Sequence, residues 1–111
     1  MKYNFKPVKL FVDVEDARKV SDEVLVKMFD IFKIYAGRSK NRTQTIEWHR
    51  RFPVSFSIGE MILLLSNYLD DADISVIKKN GKWHIEYKDY SLSGNDLNDL
   101  LWSISKQELA K

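Results

Sequence analysis

The stretch GRSKNRTQTIEWHRR, residues 37–51, carries four of the five arginines of a 111-residue chain, together with Lys40 and His49. A guanidinium is a planar fork that pairs bidentately with phosphate or carboxylate and also stacks on aromatic faces. Arg38, Lys40, Arg42, His49, Arg50 and Arg51 are therefore the candidate contacts to an anionic partner. Trp48 sits among them, and Trp48 and His49 could stack on unpaired bases. The plainer account is that these charges solvate a loop and a strand edge, where positive side chains also discourage edge-to-edge aggregation.

A second basic point surrounds Asn80-Gly81, where Lys78, Lys79 and Lys82 crowd the tip of an expected hairpin. An order of helix, strand, helix and hairpin loosely looks like a winged-helix DNA-binding domain, with these lysines in the wing. The helix before the hairpin, which carries recognition side chains in that architecture, holds no Lys, Arg or His here, so the likeness stops short of a family resemblance. A solubilised turn, with the Lys78 stem lying over Trp83, accounts for the lysines equally well.

Acid–base chemistry has one compact candidate. Glu47 and His49 fall on the same side of a strand, and Arg51, next on that side, could hold a substrate anion. No nucleophile, glycine-rich phosphate loop or second carboxylate accompanies them, so a small enzyme is the third reading. His84 faces outward on the hairpin. With two histidines and no cysteine, a transition-metal site would need carboxylates from separate elements, and no cofactor is expected. The cluster Asp70, Asp71 and Asp73 lacks the glycine and distal glutamate of a calcium-binding loop. Its place at a helix C-terminus is electrostatically unfavourable and has no explanation in the sequence.

Charge is uneven along the chain. Residues 1–36 sum to +1, residues 37–51 to +4, residues 52–65 to −1 and residues 66–111 to −2. The absence of cysteine excludes disulfides and thiolate metal sites and fits a reducing compartment. The longest strongly apolar run, Met61 to Leu65, is far too short to cross a bilayer of about 30 Å. No signal-peptide block opens the chain, so a soluble cytoplasmic protein without membrane contact is expected. Abundant Lys, Asn, Ile and Tyr over Arg and Ala point to an AT-rich bacterial or phage genome.

The elements that must position these residues follow from periodicity. Val8, Leu10, Val12 and Val14 alternate with Lys9, Phe11 and Asp13 and predict a strand after Pro7. Ser21 caps a helix with Asp22 and Glu23 in its first turn, Val24, Leu25, Met28, Phe32 and Tyr35 on one face, and Gly37 as its stop. Gln44 to Phe52 alternates Ile46, Trp48 and Phe52 with Thr45, Glu47, His49 and Arg51, which predicts a loop and then a strand ending at Pro53. Ser57 and Glu60 in SIGE match the capping box, stapled by Phe56 and Met61, and open a helix running to about Leu69.

Asn80-Gly81 pairs Lys79 with Lys82, and hence Ile74 with Tyr87, which puts Ile74, Val76, Trp83, Ile85 and Tyr87 on one face. A Ser-Leu-Ser-Gly connection leads to Asn95, the expected cap of a last helix with Leu97, Leu100, Leu101 and Ile104 inward. Trp102 and Leu109 lie off that stripe, as a core rim or as an exposed patch for self-association.

The expected fold is a single small α+β domain over residues 1–111, an antiparallel sheet containing the C-terminal hairpin packed against about three helices. The expected function is a non-enzymatic binding module that contacts an acidic protein surface, or forms a homodimer, through the arginine-rich region. Aromatics together with arginine are what interface cores over-use. A nucleic-acid-binding regulator using the same arginines and the lysine tip is the alternative.

Overall fold

The computed structural model describes residues 9–32, 42–53 and 55–111. Residues Arg38, Lys40, Tyr35, Gly37 and Val8, and the side chain of Phe32, lie outside what is described. Among the described residues there are five helices and one antiparallel sheet, an α+β fold: α1 (Val14–Arg18), α2 (Asp22–Phe32), α3 (Arg42–Arg51), α4 (Ile58–Leu63, continued by a wide π-turn segment at Leu64–Tyr68), β1 (Ile74–Lys79), β2 (Lys82–Tyr87), β3 (Tyr90–Gly94) and α5 (Leu97–Leu109).

Among the described residues, the N-terminal alternation yields one bridge instead of a strand. Val12 N–H donates to the Phe56 carbonyl at 2.9 Å and Ile58 N–H to the Leu10 carbonyl at 3.0 Å, flanking the Phe11–Ser57 pair. Extended pairing stops there because the Asp13 carboxylate accepts from Glu15 N–H at 2.9 Å and caps α1. A short polar side chain that bonds its own backbone two residues on diverts the chain from the ladder. In α2, Ser21 Oγ accepts from Val24 N–H at 3.3 Å, and Val24, Leu25, Met28 and Phe29 are buried.

The capping box of α4 forms in both directions: Ser57 N–H donates to Glu60 Oε1 at 2.9 Å and Glu60 N–H to Ser57 Oγ at 3.1 Å. Phe56 and Met61 are both buried, as the staple requires. Beyond Leu63 the helix widens: Leu69 N–H reaches back five residues to the Leu64 carbonyl at 2.9 Å. The buried Tyr87 hydroxyl donates to the Leu65 carbonyl at 2.7 Å and ties this segment to the sheet.

The hairpin adopts the register the sequence predicts, from Ile74 opposite Tyr87 to Lys79 opposite Lys82. Asn80 and Gly81 take φ of 55° and 77°, the left-handed pair that a two-residue turn needs to match strand twist. The Ser-Leu-Ser-Gly connection is itself a strand, β3, paired along β2 from Tyr90 opposite Tyr87 to Gly94 opposite Trp83. A Cβ on Gly94 would lie 3.2 Å from Leu100 Cδ2, so glycine admits the close approach of α5. Asp96, one residue after the expected Asn95, is the cap, accepting from Asp99 N–H at 3.2 Å.

Helix α5 packs on β2 and β3 on one side and on α2 and α4 on the other. Its Leu101, Ile104 and Leu109 have no exposed surface, and Ile85 and Tyr87 meet it from the sheet. Tyr87→Phe should leave the Leu65 carbonyl buried without its donor and cost about 1–2 kcal/mol. The check is urea denaturation, with an unchanged far-UV spectrum and a midpoint lower than that of the wild-type chain.

Candidate interaction surface

Residues 42–51 form a helix, where alternation predicts a strand. The buried side chains of α3 are polar and repeat at helical spacing, with Ile46 half-buried against the core. Thr45 and His49, four apart, are 5% and 0% exposed. The carbonyl that His49 meets belongs to the end of α1, a helix of five residues whose last acceptors have no following turn to satisfy them. His49 Nε2 donates to the Ala17 carbonyl at 3.0 Å, which fixes the proton on Nε2. Arg50 donates through Nη1 to the Arg18 carbonyl, and through Nη2 to the Val20 carbonyl at 2.8 Å and the Asp22 carboxylate at 2.9 Å. Local β preference of Thr, Ile and Trp yields to these tertiary bonds.

The imidazole of His49 also meets Phe29 edge to face, with centroids 5.3 Å apart. Burial lowers its pKa from the ordinary 6.5; the Ala17 carbonyl opposes this, while Arg50 and Arg18 push in the same direction as burial. His49 is thus a neutral, enclosed donor, and both His49 and Arg50 are committed to holding α3 in place. The sequence suggested that both face a partner; His49 is enclosed instead, and the guanidinium of Arg50, 33% exposed, already bonds within the fold.

The opposite side of α3 carries Gln44, Glu47, Trp48 and Arg51, with Phe52 just past its end, around an open recess of about 300 Å³. These positions follow the i, i+3, i+4, i+7 spacing of one helical face. Trp48 is 38% and Phe52 62% exposed, with ring centroids 6.3 Å apart. Arg51 is exposed and, among the described residues, makes no ion pair. Arg42 reaches Glu23 at 3.5 Å, an exposed pair of little strength. The strand reading left Phe52 out of the candidate surface; its spacing of eight from Gln44 was the available signal.

The other candidates are dispersed. A helix sets residues two apart on opposite sides, and Glu47 is exposed while His49 is enclosed, so the acid–base pair does not assemble. Lys78, Lys79 and Lys82 are exposed at the hairpin tip, and Lys78 Nζ lies 5.5 Å from the centroid of Trp83. His84 Nδ1 pairs with Ser93 Oγ at 2.7 Å on the outer sheet face. Trp102 and Leu109 are 5% and 0% exposed, which makes them core and removes the patch that self-association through them required.

Asp70 meets Lys88 at 3.1 Å, so a cation from the β2–β3 turn offsets its awkward place after a helix. Among the described residues no group of three or more His, Cys, Asp or Glu could hold a metal ion. No described helix is long and apolar enough to cross a membrane.

Adjacent arginines should therefore behave differently. Arg50→Ala strands two carbonyls and the Asp22 carboxylate and should cost about 1–3 kcal/mol. Arg51→Ala should stay within roughly 0.5 kcal/mol of the parent chain, as surface changes do. Parallel denaturant titrations of both variants provide the comparison, and equal losses would contradict the orientation of α3.

Comparison of the chain with protein-family models, with curated proteins and with solved structures finds no match.

Proposed function

We propose that the protein is a non-enzymatic binding module that docks an acidic protein segment on the outer face of α3. Trp48 and Phe52 are the apolar anchors, and Arg51 is the contact to a carboxylate. The observation that carries this reading is the exposed Trp48–Phe52 pair beside a guanidinium with no ion pair among the described residues. Tryptophan and arginine dominate the energetic centres of protein interfaces, because each offers a large contact area with a polar edge. The excess of four positive charges in residues 37–51 favours an acidic partner over a basic one. Glu47, on the same face, repels a carboxylate placed one turn too early and so helps to set the register.

Nucleic acid is the second reading, supported by Lys79 and Lys82, which are exposed at the hairpin tip and could meet phosphates while Trp48 stacks a base. It is disfavoured by the face itself. Within the described part, Arg51 is next to Glu47, so few phosphates could be neutralised there.

Peptides selected by display on the immobilised protein, then measured singly, decide the matter. Selected sequences should carry Asp or Glu beside an aromatic or aliphatic side chain. Trp48→Ala should weaken their binding by about thirtyfold, corresponding to a hot-spot loss of about 2 kcal/mol. Peptides without acidic bias, or equal binding to Trp48→Ala, would overturn the proposal. Binding of a single-stranded oligonucleotide that falls on the order of tenfold between 50 and 200 mM salt would move the assignment to nucleic acid.

A further inference from the structure

We infer that His49 is an acid-sensitive latch: protonation of its enclosed imidazole loosens α3 from the corner formed by α1 and α2, and with it the Trp48–Phe52 face. The functional meaning of the latch rests on the reading of that face as a docking surface, while the latch itself rests on packing.

The ring is 0% exposed, with its Nε2–H on the Ala17 carbonyl and its edge on Phe29 of α2. Two cations stand near it, Arg18 from α1 and Arg50 from α3 itself. Each of these arginines has a carboxylate partner, Arg18 with Glu15 at 3.2 Å and Arg50 with Asp22 of α2 at 2.9 Å. A second proton on the imidazole would therefore add a positive charge beside two arginines.

The Ala17 carbonyl favours the cation, since it lies at the negative end of α1. That helix has five residues and a correspondingly small dipole. Desolvation, joined by Arg50 and Arg18, outweighs it and holds the imidazole pKa below its ordinary 6.5. The docked state thus binds fewer protons than the released state, so docking is at full strength above about pH 6.5 and weakens as the pH falls below that value toward the docked pKa. The main packing partner of α3 is α2, away from the layers formed by α5 and the sheet. Release of α3 can accordingly precede loss of the core.

Amide exchange of the whole chain between pH 7.5 and 5, corrected for intrinsic rates, tests this. Protection in residues 42–52 should fall by up to about tenfold per pH unit below about 6.5, while protection in β2 and β3 stays level. His49→Gln keeps an amide donor for Ala17 but cannot titrate, and should remove the pH dependence. His84→Gln should leave it intact. Constant protection of α3 in the wild-type chain, or the same loss in His49→Gln, overturns the latch. Should His49→Gln fail to fold, the NMR titration of the His49 ring decides: a midpoint below 6.5 that accompanies the loss of protection supports the latch, and an unshifted midpoint overturns it. If α3 loosens as expected but Trp48→Ala binds the selected peptides normally, the docking surface fails while the latch stands.

Discussion

Coverage of α5 from both sides is the constraint on which the other packing depends. Leu101 and Ile104 can lose all their exposure only if a sheet lies on one side and helices on the other. A hairpin of two strands is marginal in water and narrow for this purpose. β3 widens the platform, with Tyr90 and Leu92 continuing the inner face of β2 beneath α5. On the other side, Leu25, Met28 and Phe29 of α2 and Met61, Leu64 and Leu65 of the α4 region close the layer. Tyr87 joins the two sides, since its ring lies in the sheet and its hydroxyl ends on the Leu65 carbonyl.

At the margin of this core, α3 is held differently. Besides the half-buried Ile46, its inward residues are a threonine, a histidine and an arginine, and its docking energy comes in good part from donors placed on the carbonyls of Ala17, Arg18 and Val20, at and just past the end of α1. Such bonds are directional, so they fix the rotation of the helix about its axis. A step of one residue turns the chain by about 100°, which follows from 3.6 residues per turn. That rotation separates the inward Arg50 from the outward Arg51 and leaves two aromatic rings facing solvent.

The same chemistry explains what the sequence made legible. The hairpin register was readable to the last pair because turn residues and alternation agree, and the SIGE box because its two bonds involve neighbours in the chain. Residues 42–51 were not readable as a helix, because polar anchors give no apolar period of 3.6, while Ile46, Trp48 and Phe52 imitate a period of two. β3 was hidden by its serines, which face outward and look like loop composition. The N-terminal alternation was cut short by an aspartate whose cap forms only once the chain bends. For the candidate surface, the right stretch was legible, but the members were not. His49 and Arg50 lie behind it, Phe52 belongs to it, and Arg38 and Lys40 lie outside the described residues.

The wide segment Leu64–Tyr68 also acts as a gauge of chain length. A π-turn accommodates one residue more than an α-turn over the same rise. Deleting a residue there would restore regular helical bonding, yet it would swing the Leu65 carbonyl away from Tyr87 and shift the chain before β1 by one place. The tie between the α4 region and the sheet thus hangs on an irregular turn, and a more regular helix would lose it.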